Sequence, residues 1–127
     1  MHRATGTFEV KMTAVAGELS WLNCMTMAKT YAGPLTATAS GEFLSAGDPK
    51  AGSAGYVAAE RIDGTLDGHA GTFVVMQSAT MDRSIPALRA FVVPGSGTGA
   101  LIGITGTLAI RVEGGQHFYD LDYDLAP

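Results

Sequence analysis

The sequence predicts an all-β protein, a closed antiparallel β-barrel of about eight strands. Three observations carry that expectation. Apolar and polar residues alternate in one run after another, Val, Ile, Thr, Phe and Tyr fill those runs, and Gly-bearing turns separate them at even spacing. No apolar period of 3.6 residues lasts for three turns, so helices are not expected. Closure removes the exposed edges that the alternative, an open sandwich, would keep.

Thr5 to Ala14 alternates cleanly, with Phe8, Val10 and Met12 on one face and Thr7, Glu9 and Lys11 on the other. Gly17 to Ser20 ends it. Leu22 to Tyr31 is the second strand, closed by Gly33-Pro34. Leu35 to Ser45 is the third, rich in Thr and small residues, and Ala46 to Gly52 has the composition of an exposed loop. Gly55 to Leu66 and Gly71 to Met81 follow, joined through Asp67-Gly68, a strong hairpin signal. Met81 to Leu88 has room for one helical turn, limited by Pro86. Leu88 to Val93 is the sixth strand, Ala100 to Val112 the seventh, and Glu113-Gly114-Gly115 turns the chain into the last, Gln116 to Leu125. Gly-Thr pairs such as Gly64-Thr65 and Gly106-Thr107 let a small barrel coil tightly.

At 127 residues the chain suits one domain over residues 1–127. Charged residues make up only 16%, against roughly 25% in ordinary soluble proteins. So sparse a charge leaves apolar surface uncovered, and a homo-oligomer is expected. A net charge of −4, with Lys and Arg scattered singly, argues against nucleic acid and anionic membranes as partners. Cys24 stands alone and cannot form an internal disulfide. With no apolar signal-like run in Met1 to Met12, and no segment near the ~20 apolar residues of a span, a cytoplasmic protein is expected.

Glu60 is the candidate catalytic residue. Tyr56, Ala58, Glu60 and Ile62 share one face of their strand, and a phenol with one carboxyl suits a mostly apolar pocket. Desolvation there would raise the carboxyl pKa toward neutrality, where it could give and take a proton. The alternatives are a surface Glu or a cross-strand ion pair. Lys29 would need Glu42 or Glu60 as partner if its face is interior, and an exterior ion pair otherwise. Gln77, in phase with Phe73 and Val75, could offer its amide to a ligand. His117, Tyr119 and Tyr123 share a face of the last strand, opposite Asp120, Asp122 and Asp124, which are expected in solvent. These three could line a pocket or pack in the core. His2, His69 and His117 are far apart and Cys24 has no partner, so no metal site is expected, and no cofactor motif is present. Gly95 to Gly99 lacks the Gly-Lys-Ser/Thr ending of a phosphate loop and is read as a turn.

An ordered set of segments carries a family resemblance. They include Lys29 to Gly33, Gly41 to Ser45, Gly52 to Arg61, Gly64 to Gly68, Gly71 to Val75, Gly97 to Gly99, Gly103 to Thr107 and His117 to Tyr119. Together they resemble a bacterial family of unknown function that carries the allene-oxide-cyclase-like β-barrel, over nearly the whole chain. The resemblance implies an oligomeric barrel with a cavity open at one end. By fold-level analogy it suggests a cofactor-free isomerase or cyclase acting on a small apolar molecule, for which the strand pattern itself offers Glu60 as acid/base, Tyr56 and Gln77 as hydrogen-bonding groups and Tyr119 as pocket wall. A non-catalytic small-ligand binder and a plugged structural barrel are the alternatives. Where the family often has Gln-His-Ser-Gly, this chain has Gln77-Ser78-Ala79-Thr80.

Overall fold

Eight antiparallel strands follow one another around the barrel in chain order, and the last returns to pair with the first. They are β1 (His2–Val15), β2 (Asn23–Ala32), β3 (Leu35–Asp48), β4 (Ser53–Leu66), β5 (His69–Asp82), β6 (Ile85–Val92), β7 (Thr105–Glu113) and β8 (Gln116–Asp124). The structure, a computed structural model, describes residues 1–125. Among them no helix is long and apolar enough to cross a membrane.

Tight turns set the register. Asp67 and Gly68 both take positive φ, +48° and +84°, the pairing a two-residue turn needs to match strand twist. Gly114 and Gly115 do the same between β7 and β8. The segment given room for a helical turn is instead a third such hairpin: Arg83 and Ser84 adopt φ of +51° and +63°, setting Met81 opposite Pro86. The Ser84 N–H donates to the Gly52 carbonyl at 3.1 Å, which ties this turn to its neighbour.

Two boundaries differ from the sequence expectation. The strand expected to end at Ser45 continues to Asp48, and only residues 49–52 leave the sheet, Pro49–Ala51 of them as a single 3-10 turn. The Asp48 carboxylate accepts the Lys50 N–H there, and Gly52 closes the turn at φ +83°. The seventh strand begins at Thr105 rather than Ala100, because Gly99–Leu101 also forms a 3-10 turn. That turn and the bend after it fold Leu101 and Ile104 inward as a plug. Burying those two side chains outweighs the ladder bonds that an extended run would have gained.

The plug closes one end of the barrel. Leu35, Leu66, Phe73, Leu121 and Tyr119 pack with Leu101 and Ile104 in one continuous core. The Tyr119 hydroxyl accepts the Leu35 N–H at 3.0 Å and donates to the Ala32 carbonyl at 3.1 Å, sealing the β2–β3 turn. The expected Asp row does face outward, where Asp122 and Asp120 pair with Arg3 and Arg111. Both arginines hold their partner carboxyls below the usual range.

One seam is unlike the rest. β6 and β7 pair through a single position, Phe91 opposite Thr107, whereas β6 pairs with β5, and β7 with β8, along its whole length.

Candidate functional site

The interior is polar in one layer only, and strand register creates it. Lys29 on β2 and Glu60 on β4 are two strands apart, with β3 between them. The inward positions of β3 at this level are Ala39, opposite both Lys29 and Ile62, and Gly41, opposite both Met27 and Glu60. Lacking bulk, they let the two long side chains meet across β3. Lys29 Nζ lies 2.6 Å from Glu60 Oε2, with both side chains almost wholly buried. The Tyr31 hydroxyl donates to the other oxygen, Glu60 Oε1. Lys29 thus lies inside, paired with Glu60, and Glu42 stands on the outer wall. The ammonium also sits 4.8 Å from the centroid of the Phe8 ring, a cation–π contact.

This cluster shapes the phenols around it. Burial, and then the neighbouring Glu60 carboxylate, push Tyr31 well above the ordinary tyrosine range. The same two causes raise Tyr56. Tyr123 at the closed end is pushed up to about 12, first by burial and then by its hydrogen bond to Asp67. A folded-state pKa above the unfolded value means that this stabilisation is complete below about pH 10 and is lost as pH rises through the folded pKa. Chemical denaturation should therefore show stability falling between about pH 10 and 12, and Tyr123→Phe should reduce that fall.

Beyond the polar layer the barrel opens into a cavity of about 740 Å³. Its walls include Met12, Met25, Phe43, Tyr56, Ala79 and Leu88, with Ile110 and Val112 across the sparsely paired β6–β7 seam. Phe43 stacks on Tyr56 at 4.5 Å between centroids. None of the wall residues is charged. Gln77 lies just inside the wall, buried, and its Oε1 has no hydrogen-bond partner among the described residues.

The structure thus brings Tyr56, Glu60 and Gln77 to one region. His117, Tyr119 and Tyr123 lie elsewhere. Tyr119 and Tyr123 belong to the closed end, with their hydroxyls engaged. His117 packs 5.1 Å from the Phe8 ring and lines a separate polar cleft of about 570 Å³ beside the β7–β8 turn. Ser78, where the family resemblance would place a histidine, is exposed on the outer wall between Val57 and Arg89, away from the cavity. Among the described residues no His, Cys, Asp and Glu side chains group as a metal site would require. The methionine wall and the Ala39/Gly41 notch were missed by sequence reasoning. Small residues at every second position of β3, Ala37, Ala39 and Gly41, were the available signal for the notch.

The fold and site define a class: small antiparallel eight-stranded barrels with one plugged end, one open apolar end and a buried polar layer between them. The chain belongs to the DUF3224 family of proteins of unknown function, whose sequence profile it matches over residues 4–123. It is also similar to a solved DUF3224 protein of unknown function from Shewanella oneidensis MR-1. The two share 41% identity and a TM-score of 0.95, over 100% of this chain and 98% of that one. No curated protein matches the sequence.

Proposed function

We propose that the protein binds a small, mainly apolar molecule in the open end of its barrel. The observation that carries this reading is the uncharged cavity of about 740 Å³ over a buried polar layer. That volume lies within the roughly 300–1,000 Å³ of small-molecule sites. Native mass spectrometry of gently purified protein should retain a stoichiometric apolar compound, released on denaturation. Substituting Ala79→Trp, which fills the cavity from β5, should abolish that retention while the fold persists. Loss of the fold's far-ultraviolet signature would disqualify that variant, and Leu88→Trp from β6 then serves instead. Retention that survives the filling would overturn the reading.

A cofactor-free isomerase or cyclase is the second reading, supported by Glu60 standing between an amine and a phenol that could pass it protons. Binding is favoured because Glu60 is buried behind the cavity wall, absent from its lining, and each of its oxygens already accepts a hydrogen bond. Turnover of the retained compound that disappears in Glu60→Gln, with affinity kept, would reverse that preference.

The outer wall supports self-association. Leu44, Val57, Met76 and Phe91 are exposed on adjacent strands β3 to β6, forming an apolar stripe. Glu42 borders it on β3 and Arg89 on β6, neither in an ion pair among the described residues. A two-fold-related second copy could set each Glu42 against the opposing Arg89. Sedimentation velocity should find a homo-oligomer that Met76→Lys dissociates to monomer; a wild-type monomer would sink this proposal. The lone Cys24 suits a reducing compartment such as the cytoplasm.

A further inference from the structure

The cavity carries information about its ligand's polar end as well as its apolar body. Gln77 occupies the interior position directly below Ala79 on β5, and its cross-strand neighbours are Ala58 and Ala90. Ala58 in turn lies just below Tyr56 on β4. Ala79 and Tyr56 are cavity wall, so Gln77 occupies the next inward position beneath that wall, behind the lining itself and flanked by the small side chains of Ala58 and Ala90. Its Oε1 is buried without a partner among the described residues. A buried acceptor left unmade is unfavourable, and in native structures it commonly marks a missing water or ligand group.

Charge restricts the choice of group. Among the described residues no charged side chain lines the cavity, and the one buried cation, Lys29, is matched by Glu60. A carboxylate or an ammonium entering here would lose its hydration and meet no free countercharge. A neutral group that donates one hydrogen bond meets the orphan acceptor and adds no net charge.

We propose that the ligand is an uncharged molecule with an apolar body and a terminal hydroxyl or comparable N–H donor, delivered to Gln77 Oε1. This inference rests on the small-molecule binding reading and specifies its chemistry. It makes Gln77 a specificity-determining residue.

The test compares octane, 1-octanol, octanoate and octylammonium on the intact wild-type protein at neutral pH, by titration calorimetry. Octanol should bind roughly tenfold more tightly than octane, and each ion at least about tenfold more weakly than octanol. In Gln77→Leu, octanol should lose its advantage and bind no more tightly than octane, because its hydroxyl would then be buried without a partner. Octanoate or octylammonium matching octanol in the wild type would overturn the inference without any variant being needed. So would an octanol advantage that persists in Gln77→Leu. If all four probes bind equally, apolar binding stands and the donor-specific inference falls. If none binds, the small-molecule reading itself fails and takes the inference with it.

Discussion

Lys29→Met is expected to destabilise the barrel by about 3–5 kcal/mol, the effect of stripping one partner from a buried ion pair. Nothing else among the described residues offers Glu60 a cation, and its side chain has almost no contact with water. Tyr31 would still donate its hydroxyl, which is too little to offset a desolvated carboxylate. The informative companion is the double variant Lys29→Met/Glu60→Leu. Apolar groups of similar size fill the same space without charge, so most of the lost stability should return. Urea denaturation of the wild type and both variants measures the three values on one scale. A single variant as stable as the wild type would mean that the pair does not exist as described. If the double variant instead loses as much as the single one, the layer is held by more than charge matching.

Gly41→Ala should cost about 3 kcal/mol or more, although it adds only one methyl group. An added Cβ would lie 2.0 Å from the Ala59 carbonyl oxygen and 2.8 Å from the Glu60 Cα. Those obstacles are backbone, not the flexible end of a side chain, so β3 and β4 would have to part. Parting them also shifts Glu60, whose side chain must reach over this position to Lys29. The substitution should therefore lower the urea midpoint. Phe43→Leu on the same strand, next to the open cavity, should move it far less. Equal losses in the two variants would show that β3 tolerates bulk at Gly41 and that the notch is dispensable.

Much of this architecture was legible in the sequence. Alternation in β1 put Phe8, Val10 and Met12 on one shared face, and that face is found lining the core or the cavity. Asp67-Gly68 announced its hairpin through the need for positive φ. The turn at Arg83-Ser84 did not, because neither residue type advertises the left-handed backbone that it adopts. The run from Ala100 looked extended because Leu101, Ile102 and Ile104 are apolar. Sequence alone cannot distinguish residues that extend a sheet from residues that plug its end.

The candidate site was less legible for a geometric reason. Tyr56 and Glu60 were placed on one face, but an ion pair spanning two strands depends on the register of three. That register was fixed by turns whose lengths the sequence left open. Lys29 therefore had two possible partners and two possible faces until Ala39 and Gly41 were seen between it and Glu60. Tyr119 and Tyr123 show the opposite difficulty. Both point inward as their spacing suggested, yet the barrel has two ends and they occupy the sealed one.

The seam held only by Phe91 and Thr107 gives the wall a preferred place to breathe. Every other junction requires a ladder of hydrogen bonds to break together, whereas here a single ladder position joins the two strands. Amide protons of Ile85–Ala90 and Leu108–Glu113 that face this gap should exchange with solvent long before those of β3 and β4. A cargo held in the barrel could leave sideways through that fault line, while the plugged end and the charged layer beneath stay intact.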